Sequence, residues 1–317
     1  ASDVYKRQAE MPCVATIGNF DGVHLGHQAV IGQLAEKGAA MDLPTTLITF
    51  EPTPAEFFGQ HKAPARLSTF REKYVTLKRF AIDRLLVLPF NHRLASMTAK
   101  DFISKILIEG LDIRYLVVGD DFRFGKNRAG DFQLLQQAGE ENNFTVVSMP
   151  SFRVDGERVS SSGIRSALAN GDFDRAERLL GRHYHMTGKV AHGDKRGREW
   201  GFPTANINMK RKVIPLRGIF AVEVFGLDRE PVFGVANLGT RPTVCGMRTL
   251  LEVHLFDFKE QIYGRRINVI FRHKIREELR FDSFDELNEQ IGRDVVSEKE
   301  YFSNILPGNI KRFVTAL

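Results

Sequence analysis

The chain has 317 residues, 43% of them hydrophobic, and carries a formal net charge of +6 at pH 7. That length is long for one domain and comfortable for two, and the composition supports packed cores. No apolar run reaches the roughly 20 residues of a membrane-spanning helix, and residues 1–10 are polar, without the apolar centre of a signal peptide.

Residues 1–10 begin at Ala1 without a Met and read as a leader with no structural weight. From there, short apolar runs at residues 13–17, 45–50, 84–88, 115–118 and 145–149 are expected as strands buried on both faces. Between the first two, residues 28–38 have helical period and end on Gly38, expected as the residue just past the helix. Thr69-Phe70-Arg71-Glu72 is a capping box that opens a helix through Phe80, and Thr98 caps a helix carrying Phe102, Ile103, Ile106 and Leu107. Residues 164–170 and 172–180 read as two short helices split by Gly171. Strand–helix alternation predicts a Rossmann-like parallel α/β sheet with ligands at the carboxyl ends of its strands.

Past residue 183 the pattern turns β-rich, with strands expected at 184–191, 218–225, 232–236, 250–256 and 267–271. Helices return at the end, where Ser283-Phe284-Asp285-Glu286 and Ser297-Glu298-Lys299-Glu300 form capping boxes. The chain is therefore divided into residues 11–183, an α/β domain, and residues 184–317, a β-barrel-like domain with C-terminal helices. Cys13 and Cys245 lie far apart without zinc-type spacing and read as buried thiols in a reducing cytoplasm. The sequence pI is about 9.3. The basic residues are scattered, which favours solvated charge with a few anion sites over a nucleic-acid groove.

The most informative motif is Gly18-Asn19-Phe20-Asp21-Gly22-Val23-His24-Leu25-Gly26-His27, between the first strand and the first helix. Its glycines let backbone approach a ligand, and the helix start supplies free N–H groups and the positive dipole end. His24 and His27 sit there to stabilise charge developing on a polyphosphate, as nucleotidyl transfer requires. Phe50-Glu51-Pro52-Thr53-Pro54 reads as a rigid strand exit. In Gly119-Asp120-Asp121-Phe122-Arg123-Phe124-Gly125 the carboxylates suit a ribose or a magnesium shell and the aromatics a flat ring; an ordinary polar turn accounts for the spacing equally well. In Ser160-Ser161-Ser162-Gly163-Ile164-Arg165 the serines cap a helix, and a cation in its first turn makes sense beside a phosphate.

In the second half, the run from Gly188 and Lys189 through Gly193, Lys195 and Trp200 to Gly201 is a basic glycine loop suited to an anion nest. It leads into Phe202-Pro203-Thr204-Ala205-Asn206, where Thr204 offers a hydroxyl to Mg²⁺ and Asn206 an amide. Alternation in residues 250–256 puts Glu252 and His254 on one strand face, opposite Leu251, Val253 and Leu255. Glu252 is a candidate general base if it points into a cleft.

These motifs, in this order, resemble the prokaryotic bifunctional riboflavin kinase/FMN adenylyltransferases, from about Pro12 to the C-terminal helices. Residues 18–27, 119–125 and 160–165 resemble the three adenylyltransferase motifs. Residues 201–206, Gly239-Thr240-Arg241-Pro242-Thr243 and the Glu252 strand resemble the kinase module. The resemblance implies a nucleotidyltransferase domain and a six-stranded kinase barrel. It implies ATP, riboflavin, FMN and FAD as substrates or products, and Mg²⁺ as cofactor. Gly18, Asn19, Phe20, Asp21 and Gly22 would hold ATP with His24 and His27, and Ser161, Ser162 and Arg165 would complete the triphosphate clamp. Asp120, Asp121, Phe122 and Phe124 would form a flavin or nucleotide loop. Gly188, Lys189, Gly193, Lys195, Gly201, Pro203, Thr204 and Asn206 would bind kinase ATP, with Thr204 on the metal and Glu252 as base toward the riboflavin 5′-hydroxyl. Thr53, Asp121, Ser162 and Trp200 stand where the family often has His or Gln, Asn, Thr and an aliphatic residue. The expected partners are small molecules, with no nucleic acid and no membrane; the expected state is a cytoplasmic monomer or weak homo-oligomer. The rival readings are a single nucleotidyltransferase with a binding barrel, against which Thr204, Asn206 and Glu252 weigh, and a non-catalytic flavin- or nucleic-acid-binding protein, against which His24 and His27 weigh.

Overall fold

A computed structural model describes residues 11–59, 62–191, 203–211, 213–243, 246–279, 286, 289–290, 292–299 and 302. The chain falls into two compact units. One runs to Gly163 and takes in Leu179–Gly181; the other holds Ile164–Arg178 and the chain from Arg182 onward.

In the first unit, β1 (Cys13–Ile17), β2 (Thr45–Glu51), β3 (Arg84–Pro89), β4 (Ile113–Gly119) and β5 (Thr145–Met149) make a five-stranded sheet in the order β3-β2-β1-β4-β5. Every pairing is parallel. Alternate residues of β1 serve opposite faces, as a sheet covered on both sides demands. Val14 packs with Leu34, Tyr115 and Val117, while Ala15 and Ile17 pack with Ile48, Leu116 and Phe102. The first face is covered by α1 (Leu25–Met41); its neighbours in the unit are α2 (Pro54–Gly59), α3 (Phe70–Leu77), α4 (His92–Ala95), α5 (Ala99–Phe102) and α6 (Phe132–Asn142). Helix α5 continues over Ile103–Ile108 with wider, i→i+5 hydrogen bonds such as Glu109 N–H to Ser104 O.

Three expectations change here. Helix α1 extends beyond Gly38 to Met41, and Asp42, not Gly38, takes the left-handed cap at φ 53°. Gly38 is instead a close approach: a Cβ there would lie 2.9 Å from Thr45 Cγ2 and 3.0 Å from Leu43 O. The Thr69 capping box forms, with both reciprocal bonds, but α3 stops at Leu77 rather than Phe80. Helix α6, capped by Asp131 accepting from Leu134 N–H, is an element that the sequence pattern did not announce.

A reciprocal clamp joins the start of β2 to the turn before β3. Thr45 N–H and Oγ1 both donate to Asp83 Oδ2, at 2.8 and 2.9 Å, and Asp83 N–H donates back to Thr45 Oγ1 at 2.9 Å. The Thr45 N–H bond, foremost, holds the Asp83 carboxyl below the usual carboxylate range. A lowered carboxylate pKa contributes stability that is present above its ordinary value and lost as pH falls through the lowered one. Asp83→Asn is therefore expected to destabilise the chain at neutral pH by no more than about 1 kcal/mol, given its exposure. The gap from the parent should close as pH falls through the carboxylate range. Denaturant unfolding at a series of pH values checks this; a gap independent of pH would count against it.

The hairpin of β6 (Arg153–Val154) and β7 (Glu157–Arg158) precedes α7 (Ser161–Ala169) and α8 (Phe173–Leu180). In the second unit, β8 (His185–Ala191), β9 (Thr204–Asn208), β10 (Gly218–Phe225), β11 (Val232–Thr243), β12 (Gly246–Leu255) and β13 (Arg266–Arg276) close into a barrel, in the order β10-β11-β12-β9-β8-β13. All its pairings are antiparallel. Phe220 and Phe271 meet edge to face in the core, and Phe173 of α8 packs on both, 5.8 and 6.5 Å away. Helical residues 292–299 dock on β13 through Arg276–Asp294 at 2.7 Å and His273–Glu298 at 3.2 Å.

Four barrel expectations are corrected or left outside. Gly188 and Lys189 are not loop residues; they sit in β8, paired with Ile267 and Arg266. A Cβ on Gly188 would lie 2.3 Å from Ile207 Cγ2, so this glycine exists for close strand packing. Strand β9 was not expected from its residues. Ser297 lies inside the helix at 292–299 instead of capping one, because the helix has already begun; Ser283 and Glu300 fall outside the described residues.

Candidate active sites

Strand order in the first sheet reverses at β1, whose neighbours are β2 and β4. The crevice beyond the carboxyl ends of β1 and β4 is where such sheets bind ligands. The loop from Gly18 to His24 opens there, directly ahead of the α1 N-terminus. Helix α1 has no acidic residue in its first turn, so nothing in that turn opposes an anion at its positive end.

His24 is the N-cap of α1: its Nδ1 accepts from His27 N–H at 3.3 Å. With Nδ1 accepting, the neutral ring carries its proton on Nε2, which makes Nε2 a donor. The two imidazoles stack with centroids 3.6 Å apart, and the His27 ring lies 4.9 Å from Phe20. The backbone between them is unusual. Phe20, Gly22 and Val23 have φ of 47°, 83° and 43°. A left-handed valine is a sterically costly conformation that its surroundings must impose. Those surroundings are visible: Ser68 Oγ accepts from Gly22 N–H, and Gln28 Nε2 donates to Val23 O.

Two expected ligand residues have structural partners. The Asp21 carboxylate accepts from Leu67 and Ser68 N–H, all at 3.1 Å. Ser161 Oγ donates to Asp21 O at 3.0 Å, which ties the start of α7 to this loop. Ser160 is the capping serine, accepting from Gly163 N–H at 3.1 Å. Ser162 is exposed and Arg165 half-buried, one helical turn along α7 from Ser161.

The loop after β4 behaves largely as a turn. Asp120 Oδ2 accepts from Ser151 N–H and Oγ, and Asp121 pairs with Arg158 at 2.9 Å. Phe124 is a core residue at 6% exposure, so it is not free to stack a ligand; Phe122 lies parallel to it and remains half-buried. After β2, the Glu51–Pro52 peptide is cis, and Thr53 and Glu56 bond reciprocally at the start of α2. Arg66 bridges Glu51 and Glu56; burial pushes the Glu56 carboxyl up, and the Arg66 guanidinium overrides it and holds the carboxyl below its ordinary value.

On the barrel, three adjacent strands align a second constellation. Glu252 of β12 pairs with Asn206 of β9 on one side and Asn237 of β11 on the other. Leu251, Val253 and Leu255 are buried on the opposite face, so the expected alternation holds. Directly paired residues have Cβ atoms about 5 Å apart, so the acid lies between two amides. Next along, His254 pairs with Thr204, and its Nδ1 bonds Pro203 O at 3.1 Å. Burial pulls the His254 pKa down, which favours the neutral ring that donates Nδ1–H to that carbonyl. Asn237 went unnoticed in the sequence because its place beside Glu252 depends on strand register. Gly193, Lys195, Trp200 and Gly201 lie outside the described residues.

A histidine-bearing loop at the switch point of a parallel sheet, and an acid flanked by amides on a closed barrel, are two candidate sites of the kind a nucleotide-handling enzyme uses. The FAD synthetase model matches residues 6–163, and the riboflavin kinase model residues 180–302. Curated relatives described as bifunctional riboflavin kinase/FMN adenylyltransferase are 50% identical in Escherichia coli K12, over 93% of this chain and 94% of the relative. In Pseudomonas fluorescens the identity is 48%, over 90% and 92%. A crystal structure described as a macrolide-efflux protein from Streptococcus pneumoniae is 28% identical, with a TM-score of 0.77 over 93% of this chain and 96% of that one. The chain belongs to the bifunctional riboflavin kinase/FMN adenylyltransferase family. Among the described residues, no helix is long and apolar enough to cross a membrane.

Proposed function

We propose that the chain converts riboflavin and ATP to FMN and ADP on its barrel, and FMN and ATP to FAD and pyrophosphate on its α/β unit. The supporting observation is the coincidence of two separate sites on one chain whose relatives carry both names.

In the kinase step the riboflavin 5′-oxygen bonds to the γ-phosphorus, ADP leaves, and the hydroxyl proton passes to Glu252. Thr204 and Asn206 present hard oxygen donors on the strand beside Glu252, which suits Mg²⁺ arriving with ATP. The metal would neutralise phosphate charge; Thr204 and Asn206 would hold it, and Gly193, Lys195, Gly201 and Pro203 would border the ATP. In the adenylyl step an FMN phosphate oxygen bonds to the α-phosphorus and pyrophosphate leaves. That nucleophile is already an anion, so no base is needed, consistent with Asp21 being engaged by backbone N–H groups. His24 and His27 would stabilise the transferring phosphate, and the Gly18–Gly22 backbone, Ser161, Ser162 and Arg165 would hold the triphosphate. Phe122, with Asp120 and Asp121 fixing its loop, would border the flavin. The enzyme would work in the cytoplasm on small molecules, as a monomer or weak homo-oligomer. The direct test is purified protein with riboflavin, ATP and Mg²⁺, flavins resolved by chromatography; FMN followed by FAD is expected, and neither product would refute the reading.

We further propose that the functional division falls near residue 183 and that the kinase half works alone. Residues Ile164–Arg178 belong to the barrel unit, so the cut matters. A fragment from Ser160 keeps Phe173 against Phe220 and Phe271; one from Gly181 loses it. The shorter fragment, which also lacks the buried Ile164, Ala167, Leu168 and Ala176, is expected to be less stable by more than the roughly 3–5 kcal/mol usual for one buried Phe. Thermal unfolding and FMN assays of both fragments check this. Equal stability would show that residues 160–180 add nothing to the barrel; a folded Ser160 fragment unable to make FMN would refute an autonomous kinase half.

A further inference from the structure

Lys73 of α3 heads the fully buried side chains by volume, at 2% exposure. Its Nζ donates to Asn19 O at 2.7 Å and to Thr49 Oγ1 at 3.3 Å. Thr49, itself fully buried, donates its own hydroxyl to the same Asn19 O at 3.3 Å. One carbonyl of the His24/His27 loop thus receives an ammonium and a hydroxyl from beneath. Burial pulls the Lys73 pKa down, with the Asp21 and Glu51 charges acting against it. An isolated buried ammonium is unfavourable, and an apolar side chain of similar volume is ordinarily as good or better for stability.

What the ammonium holds explains its presence. Asn19 precedes Phe20, the first of the left-handed residues, and the Phe20 ring lies against the His27 ring. Left-handed non-glycine residues persist only when several ties over-determine them. The tie on Asn19 O is made by a buried charged donor, just after the chain leaves β1.

We propose that Lys73 is a positioning residue for adenylyl transfer: its ammonium clamps the Asn19 carbonyl and so holds the Phe20–Val23 turn that aims His24 and His27. This rests on the reading of that loop as the adenylyl-transfer site. The test is Lys73→Met and Lys73→Gln in the full chain, with His27→Ala in parallel. The measurements are kcat and KM for FAD formation from FMN and ATP, FMN formation by the same preparations, and thermal unfolding. Lys73→Met is expected to lower kcat about 10–100-fold, the effect of a misplacement near 1 Å. KM for FMN should stay within about threefold and FMN formation from riboflavin at the parent level, while KM for ATP rises alongside the fall in kcat, because the lysine acts through the loop whose backbone would hold the triphosphate. Lys73→Gln, which keeps an N–H donor, should recover part of the loss. In Lys73→Ala, ethylammonium but not tetramethylammonium should restore rate. A folded Lys73→Met with parent kcat, or a loss confined to KM, overturns the proposal. Parallel loss of both activities with general unfolding in every variant also overturns it, since Lys73 would then serve stability alone. If FAD formation survives His27→Ala, the site reading itself fails; an inactive His27→Ala beside a fully active Lys73→Met fails only this inference.

Discussion

Glu252→Gln is expected to lower FMN formation from riboflavin by about 10²–10⁴-fold, the range for loss of a general base. The riboflavin hydroxyl is a neutral, weak nucleophile, and its proton needs an acceptor as the P–O bond forms. Glu252 is the carboxylate in register with both Asn206 and Asn237. Glutamine keeps the shape and the place in the strand, so the barrel should fold. FAD formation from supplied FMN should barely change, and fluorescence titration should still show riboflavin binding. Parent-like FMN formation would remove Glu252 as the base; equal loss of both activities would point to misfolding.

His27→Ala is expected to reduce FAD formation by about 10²–10³-fold, the usual effect of deleting one oxyanion donor, while FMN formation continues. The backbone N–H of residue 27 would still cap onto His24 Nδ1, so α1 keeps its start. His24→Ala removes both the ring and the cap. It should therefore lose about 1 kcal/mol of stability as well as activity, the typical effect of removing an N-cap. The comparison separates chemistry from folding: a chain whose FAD formation persists at the parent rate in His27→Ala does not use this loop as proposed.

Much of the fold was legible where burial is symmetric. The central strands β1, β2 and β4 are apolar runs buried on both faces, and such runs announce themselves; the edge strands β3 and β5 were expected to be buried likewise but are only half-covered, because a sheet edge has a neighbour on one side alone. Glu252 and His254 were placed correctly because β12 has one buried face, and period-2 alternation comes from that. Strand β9 escaped because Thr204-Ala205-Asn206-Ile207-Asn208 presents two asparagines, poor strand formers that the barrel pairing overrides. Gly38 and Gly188 misled because glycine marks two opposite situations, a left-handed turn and a close approach, and only the neighbours distinguish them. Asp21 and Ser161 look like ligand residues in a motif, yet their partners, Leu67, Ser68 and the Asp21 carbonyl, lie 46 to 140 residues away. Lys73 and Asn237 gave no local signal, since tertiary neighbours alone define what each touches.

The left-handed turn at residues 20–23 also bears on traffic. Phe20 and Val23, at 2% and 0% exposure, are members of the cluster with Ile31, Leu47 and Leu77. Lifting this segment would hydrate both side chains, at about 1.5–3 kcal/mol apiece, would break the Gly22 tie to Ser68 and would pull on Asn19, whose carbonyl Lys73 holds. The segment is thus a fixed wall and not a lid. On the proposed reading of this loop as the adenylyl-transfer site, nucleotide and pyrophosphate would pass in front of it, and a gate that sets the turnover rate would be built from other parts of the chain.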